Sequence, residues 1–245
     1  MPSRRPSARD RARRELGQNF LISTSAIDRV LALLEHRRGP VVELGAGRGA
    51  ITGALVATGR PVTAVELDPH WAEVLRRTVP RARVVRCDLR RFRVPDGTRS
   101  VIGNLPFGRT TAALRHLLTE PAWAEAVLLV QWEVARKRGA PGTMLGAQWA
   151  PWFEFSAHGR VPARAFRPMP AVDGGLLRIR RRPAPLVAGH DRAAYQRFVE
   201  EVFTGRGRDV GEIVRRRTGR RPAVPPGALP RDLDPVTWAR LFAGS

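Results

Sequence analysis

The sequence predicts an α/β fold with a mostly parallel sheet, helices on both faces, an antiparallel edge strand and a small C-terminal helical domain. Three observations support this fold class. Short apolar segments of strand length alternate with segments of helical length over residues 41–130, a glycine-rich turn follows the first of these strands, and the alternation stops after Pro183 and Pro185. Such alternation is typical of parallel sheets, because each helix returns the chain to the start of the next strand.

The elements follow in order along the chain. A first helix is predicted after Ser23, which can cap it, and Asp68 before Pro69 is expected to cap another. A Phe-rich segment after Trp152 and a last strand over 175–179 predict the antiparallel edge. The other strands are predicted at residues 41–44, 62–65, 83–86, 100–103 and 126–130, with helices between them at 48–58, 69–77 and 110–118.

The chain divides into three predicted regions. Residues 1–15 carry six arginines and almost nothing apolar to bury, which predicts a flexible basic arm. The α/β domain spans residues 16–182. Residues 183–245 combine a helical pattern with further arginines and are predicted to form a small helical domain.

The charge of the chain points to a polyanionic partner. Lys and Arg total 43 against 22 Asp and Glu, a net charge of +21. An excess of this size raises the affinity for nucleic acid, since cationic side chains release counterions condensed on the phosphates. We therefore expect a nucleic-acid partner.

Composition also excludes several classes. Cys87 is the only cysteine, which excludes an intramolecular disulfide and a cysteine-clustered metal site. The five histidines lack ligand spacing, so no metal is predicted. The N-terminus has no signal-peptide core and no apolar run approaches the roughly 18 residues of a membrane span. We expect a cytoplasmic monomer with no membrane partner.

The strongest local motif joins the first strand to the following helix. Glu43 is followed by Gly45, Gly47 and Gly49, and glycines let the backbone approach a ligand at the carboxyl edge of a strand. A dinucleotide-binding oxidoreductase shows G-x-G-x-x-G, whereas the spacing here is E-x-G-x-G-x-G. The shorter spacing and the preceding acid favour S-adenosylmethionine as the cofactor.

The next two strands end in acidic residues. Glu66, followed by Leu67, closes the second strand 21 residues after Gly45, where an acid accepts hydrogen bonds from both ribose hydroxyls. Asp88 closes the third strand and can accept from the adenine amino group, while Leu89 packs against the ring. Together with the glycine turn, these residues predict a Rossmann-like class I methyltransferase sheet with a cofactor-binding catalytic domain over 16–182.

The fourth strand ends in Asn104, Leu105, Pro106 and Phe107. An adenine N6 is a poor nucleophile because its lone pair is delocalised into the ring. Asn104 Oδ1 and the Leu105 carbonyl could accept both amino hydrogens, which localises that lone pair and aims it at the sulfonium methyl. Pro106 fixes the turn and Phe107 can stack on an unpaired base. The motif predicts transfer to an adenine N6.

With these motifs in place, the sequence resembles the Erm and KsgA group of ribosomal RNA adenine N6-methyltransferases over about residues 16–180. The resemblance implies that Gln18, Asn19 and the Leu21 main chain help to hold the cofactor, with Asn19 near its methionine end. It also implies an RNA-binding role for the helical residues 183–245. Segments at 131–137 and 166–173 are similar to later segments of the group.

Within the group, the features favour Erm enzymes. Phe107, where KsgA enzymes usually have Tyr, the residues that follow it, the arginine-rich arm and the short C-terminal region are more similar to Erm sequences. Gly174 departs from the serine common at that point. An Erm enzyme would methylate one adenine of 23S rRNA and confer resistance to macrolides, lincosamides and streptogramin B. The alternatives are KsgA-type methylation of 16S rRNA and a noncatalytic RNA-binding assembly factor.

Overall fold

The computed structural model describes residues 19–35, 38–108, 110–140, 142–220 and 222–244. The described chain forms two compact units. The N-terminal unit contains the described residues up to Trp132 together with 158–178, and the C-terminal unit contains 133–157 with 179–244. The predicted basic arm, residues 1–15, lies outside the described residues.

The strands and helices follow the predicted order closely. The strands are β1 (Phe20–Leu21), β2 (Val41–Leu44), β3 (Val62–Glu66), β4 (Arg83–Arg86), β5 (Ser100–Asn104), β6 (Glu125–Gln131), β7 (Phe153–Val161), β8 (Phe166–Arg167) and β9 (Gly174–Arg181). The helices are α1 (Thr24–Ala32), α2 (Ala50–Ala57), α3 (Pro69–Thr78), α4 (Thr110–Thr119), α5 (Trp132–Gly139), α6 (Met144–Trp149), α7 (Arg192–Thr204), α8 (Val210–Thr218) and α9 (Pro235–Ala243).

The main sheet has seven strands in the order β4-β3-β2-β5-β6-β9-β7. The pairs β2 with β3, β2 with β5, β3 with β4 and β5 with β6 are parallel. This mostly parallel sheet with an antiparallel edge confirms the predicted fold class. A separate antiparallel pair joins β1 to β8, with Leu21 opposite Phe166.

Two predicted helix caps form as expected. The Ser23 hydroxyl accepts a hydrogen bond from the Ala26 amide at 3.3 Å at the start of α1. The Asp68 carboxylate accepts from the His70 amide at 2.8 Å, directly before Pro69 begins α3. Both caps satisfy amide donors that the first helical turn leaves without a partner.

The strand register brings the sequence motifs together. Leu44 at the end of β2 lies opposite Val65 of β3 and Gly103 of β5, and Glu66 lies opposite Arg86 of β4. Because these strands are parallel and in register, the turns that follow β2, β3, β4 and β5 all leave the sheet at the same edge. Motifs that are distant in the sequence therefore meet at the carboxyl edge.

A polar network around the buried Glu125 lies at the opposite end of the strands. The Glu125 carboxylate, 1% exposed, accepts from the Ser100 hydroxyl at 3.0 Å and from the Glu35 amide at 3.0 Å. Arg178 lies 3.3 Å from the same carboxylate and 2.7 Å from the Glu35 carboxylate. These contacts join the starts of β5 and β6 to the loop after α1 and to β9.

The C-terminal unit contains two helices that the sequence patterns did not predict, α5 and α6. Its core includes the fully buried Tyr195, Phe198 and Trp238. The Tyr195 hydroxyl donates to the Ala147 carbonyl of α6 at 3.0 Å. Residues 133–157 therefore group with the C-terminal residues, and the compact units do not follow the predicted boundary at 182/183. An RNA-binding role for 183–245 remains a prediction.

Two kinds of feature are absent from the described residues. No described helix combines the length and the apolar character needed to cross a bilayer. Nor do the described residues contain a cluster of three or more His, Cys, Asp or Glu side chains that could hold a metal ion.

Candidate active site

A cavity opens at the carboxyl edge of the sheet, where the motifs meet. The predicted residues that line it are Asn19, Leu21, Gly45, Gly47, Glu66, Leu67, Asp88, Leu89, Asn104, Leu105, Pro106 and Phe107. Gln18 lies outside the described residues. The structure therefore brings into one cavity residues from the N-terminal motif and from the ends of four strands.

The glycine turn follows a path that side chains would obstruct. Gly45 and Gly47 have φ of 73° and 53°, in the left-handed region that favours glycine. A Cβ at Gly47 would lie 2.9 Å from Cε1 of Phe20, and one at Gly45 would lie 3.6 Å from the Asn104 carbonyl. The absent side chain at Gly47 thus lets the Phe20 ring lie against the turn, whereas at Gly45 the positive φ rather than lack of space favours glycine.

Gly49, predicted to bind the cofactor, lies at the start of the helix that follows the glycine turn. It is not among the residues that line the cavity; it is the N-cap of α2, with φ of 85°. A Cβ there would lie 2.7 Å from Cδ2 of Leu75. The positive φ and the lack of space beside α3 explain why this position is a glycine, and no ligand contact is needed to explain it.

Glu66 is anchored by the backbone around it. Its Oε2 accepts from the Gly47 amide at 2.7 Å and its Oε1 from the Asp68 amide at 2.8 Å. The side chain is 4% exposed, and burial raises the pKa of its carboxyl above the usual range despite these hydrogen bonds. The carboxyl group is thereby fixed between the glycine turn and the end of β3.

Asp88 carries a neighbour that the sequence patterns did not reveal. Arg90 forms a bidentate pair with it: Nε lies 3.1 Å from each carboxylate oxygen, and Nη2 lies 2.5 Å from Oδ2. The Arg90 amide also donates to Asp88 Oδ1 at 2.9 Å. This arginine holds the carboxylate in one orientation at the cavity wall.

Asn104 is tied to the N-terminal motif across 85 residues of sequence. Its Nδ2 donates to the Asn19 carbonyl at 2.6 Å. Because the amide nitrogen is used in this way, Oδ1 is left as an acceptor for a ligand. The turn that follows is held by the Leu105 amide, which donates to the Leu129 carbonyl at 3.0 Å, and by the Thr110 hydroxyl, 3.2 Å from the Pro106 carbonyl.

The aromatic side chain of Phe107, which lines the cavity, packs against a buried ring of the core. Phe107 is half-buried and meets Phe166 edge to face, with ring centroids 6.0 Å apart. Phe166 is 1% exposed, and a Cβ at Gly174 would lie 3.0 Å from its Cζ. A side chain at position 174 would crowd this ring, so Gly174 makes room for it.

Several lining residues were not predicted to contact a ligand. Glu43 was recognised only as part of the glycine motif. It is 2% exposed, and burial raises its pKa to about 8, although the Thr52 hydroxyl donates to it at 2.5 Å. Most of the others adjoin predicted residues in sequence, so proximity was the only signal that could have found them. They are Phe20, Ala46, Arg48, Ala50, Ile51, Val65, Cys87 and Arg90.

The lining fits a nucleoside with hydroxyl and amino groups that donate hydrogen bonds. Three carboxyl groups, Glu43, Glu66 and Asp88, line the cavity, and apolar Leu67, Leu89 and Phe107 lie beside them. A sulfonium nucleoside combines a flat apolar ring, hydroxyl donors and cationic groups. The fold and this site together define a class I methyltransferase.

Comparisons with known proteins agree with that class. Residues 9–222 match the ribosomal RNA adenine dimethylase family, and the chain belongs to this family. An rRNA adenine N-6-methyltransferase of Corynebacterium diphtheriae is 47% identical over 214 residues, covering 86% of this chain and 85% of that protein. The mycinamicin-resistance protein MyrB of Micromonospora griseorubida is 46% identical over 242 residues, covering 94% and 78%.

A solved structure gives the same result. The crystal structure of the 23S rRNA methyltransferase ErmE superposes with a TM-score of 0.82 and 32% identity, covering 92% of this chain and 98% of that chain. The predicted membership of the Erm and KsgA group is thereby confirmed.

Proposed function

We propose that this protein transfers methyl groups from S-adenosylmethionine to the N6 of one adenine of 23S rRNA, and thereby confers macrolide, lincosamide and streptogramin B resistance. The observation that carries the proposal is the Asn104 to Asn19 contact of 2.6 Å. It orients Asn104 Oδ1 as an acceptor at the cavity, beside the main chain of Leu105 and the ring of Phe107.

The residues of the chain would act by positioning. Asn104 Oδ1 and the Leu105 carbonyl accept the two hydrogens of the adenine amino group, so that the lone pair points along the line of transfer. Phe107 stacks on the unpaired base. S-adenosylmethionine supplies an already activated methyl on its sulfonium, so the site needs no strong base.

The rest of the lining would hold the cofactor. Glu66 accepts from the ribose hydroxyls with its remaining lone pairs, and Asp88 accepts from the adenine amino group of the cofactor, with Leu67 and Leu89 beside the ring. Asn19 and Leu21, with Gln18, hold the methionine end. In support, each carboxylate is already oriented by protein donors, the Gly47 and Asp68 amides for Glu66 and Arg90 for Asp88.

The first test separates chemistry from cofactor binding. Asn104→Ala should lower kcat on a 23S rRNA fragment by about 100-fold or more, because positioned acceptors contribute on that scale. Its affinity for S-adenosylhomocysteine should change by less than about tenfold, the scale of one hydrogen bond. Asp88→Asn is the matched contrast and should raise KM for the cofactor more than it lowers kcat. Unchanged turnover in Asn104→Ala would remove this residue from the reaction.

The second test identifies the target. Labelled methyl transfer is measured on protein-free 23S rRNA fragments and on 16S rRNA in immature small subunits, and the modified adenine is mapped by primer extension and mass spectrometry. We expect label in 23S rRNA alone, consistent with the 23S substrate of ErmE and with the name of MyrB. Label in 16S rRNA alone would refute the proposed target, and no label in either would favour a noncatalytic factor.

The third test concerns the RNA partner. The chain carries a net charge of +21, and we propose that the basic arm and the C-terminal helices contact rRNA phosphates. Replacing the arm arginines with Gln should weaken RNA binding. The slope of log K against log salt concentration should become less steep by up to roughly 0.9 for each phosphate that the variant no longer neutralises. An unchanged slope would refute a role for the arm. The six positions are Arg4, Arg5, Arg9, Arg11, Arg13 and Arg14.

A further inference from the structure

Arg48 occupies a distinctive position among the residues around the cavity. It follows Gly47 in the glycine turn, lines the cavity and is exposed. Its guanidinium carbon lies 5.1 Å from the centroid of the Trp71 ring and 5.4 Å from that of Phe20. The two rings meet each other edge to face at 5.1 Å. Arg48 is thus held against a pair of aromatic rings at the mouth of the site.

The charged side chains around the cavity leave Arg48 available to bind an anionic group. Arg48 and Arg90 are the cationic side chains among the described residues that line it, and Arg90 is paired with Asp88. Within the described part of the chain, no salt bridge joins Arg48 to a carboxylate. A guanidinium that lies over aromatic rings without forming a salt bridge keeps N–H groups available, and its planar fork matches a carboxylate.

The position of Arg48 identifies the part of the ligand that it faces. Phe20, against which it packs, directly follows Asn19, and a Cβ at Gly47 would contact the Phe20 ring. Asn19 is bonded to Asn104, the residue at the point of methyl transfer in the proposed function. Asp88, assigned to the adenine, follows a different strand, β4. Arg48 therefore packs beside the N-terminal motif, which the proposed function assigns to the amino-acid end of the cofactor.

We propose that Arg48, held on Phe20 and Trp71, binds the α-carboxylate of the methionine part of the cofactor and so selects ligands that carry this group. The proposal rests on the proposed function, because it requires S-adenosylmethionine in this cavity. The amino-acid end of the cofactor carries both an ammonium and a carboxylate. A guanidinium at that end of the cavity can pair with the carboxylate, and among the described residues that line the cavity Arg48 is the cationic side chain that no salt bridge neutralises.

The test compares two ligands that differ only in the carboxylate. Isothermal titration measures the Kd of S-adenosylhomocysteine and of its decarboxylated analogue, S-adenosyl-3-thiopropylamine, for the full chain and its variants. Arg48→Met should raise the Kd of S-adenosylhomocysteine by about 10- to 100-fold, the range of a charge-assisted bidentate contact. The decarboxylated analogue should change by less than about twofold. The Kd of Arg48→Lys for S-adenosylhomocysteine should lie between the values of the wild type and of Arg48→Met, since lysine keeps the charge and lacks the planar fork.

The control variant is Arg76→Met, which removes an exposed arginine of α3 that pairs with Glu73 outside the cavity. It should leave both Kd values unchanged, and thermal denaturation should show that each variant is folded. Equal losses for both ligands, or no loss for S-adenosylhomocysteine, would overturn the assignment. So would an unchanged Kd combined with weaker RNA binding and a lower salt slope, which would assign Arg48 to an RNA phosphate. Failure of the unsubstituted chain to bind S-adenosylhomocysteine would refute the proposed function as well.

Discussion

Replacing the buried acid Glu43 with Gln should stabilise the protein at neutral and alkaline pH. Burial raises the pKa of Glu43 from 4.5 to about 8, with a smaller contribution from the nearby Glu66 carboxylate. The folded state therefore binds this proton more tightly than the unfolded chain does. The stabilising contribution of the protonated group is complete below about pH 4.5 and is lost as the pH rises through about 8.

The magnitude follows from the size of the shift. A shift from 4.5 to about 8 spans about 3.5 pH units, and each unit corresponds to about 1.36 kcal/mol, so stability should fall by at most about 5 kcal/mol across this window. Glu43→Gln cannot ionise, and its amide oxygen can still accept from the Thr52 hydroxyl. The free energy of unfolding of the variant should not decline in this way, and its excess over that of the wild type should be largest near pH 8.

Urea denaturation of both proteins without cofactor at pH 5, 6, 7 and 8 measures this difference. The difference in the free energy of unfolding should grow with pH, whereas other titrating groups affect both proteins alike. Parallel stability curves would refute the assignment of a raised pKa. Cofactor binding offers a second readout, because positive charge beside Glu43 favours its ionised form. At pH 7 binding should release up to about 0.9 proton in the wild type and markedly less in Glu43→Gln.

Three further predictions concern two closely packed glycines and the polar network around Glu125. Gly47→Ala should weaken cofactor binding by more than about tenfold, because φ is 53° and the new Cβ would lie 2.9 Å from the Phe20 ring; titration with S-adenosylhomocysteine checks this. Glu125→Ala should destabilise the fold by about 3 kcal/mol in urea denaturation, since it removes the acceptor shared by the buried Ser100 and the half-buried Arg178; a loss below about 1 kcal/mol would show that the network is dispensable. Gly174→Ser should cost about 1 to 3 kcal/mol by crowding Phe166, seen as a lower Tm, and an unchanged Tm would show that the ring yields freely.

Much of the N-terminal unit could be predicted from local patterns. The strands at 41–44 and 83–86 have the predicted bounds, and the Ser23 and Asp68 caps form as expected. Strand length, apolar character, glycine positions and capping residues are all properties of short segments, so the sequence displays them directly. Because parallel strands end at one edge, the motif residues could also be expected to share a site.

The C-terminal unit was less predictable. Helices α5 and α6 were missed, and residues 133–157 group with the C-terminal helices through contacts such as that of Tyr195 with Ala147. α6 has only six residues, too few to display a helical period, and its burial depends on partners such as Tyr195 that come much later in the chain.

The amino-acid sequence by itself determined the order of the elements and the edge of the sheet at which the site forms, and it supplied the prediction that Asn104 to Phe107 hold the target adenine. Only the tertiary structure decided that Arg90 clamps Asp88, that Gly49 packs on Leu75 rather than lining the cavity, and that Arg48 lies on Phe20 and Trp71. The physical reason is that such contacts depend on the direction and space available to individual side chains. Both are set by strand register and close packing between segments distant in sequence, which no local period encodes.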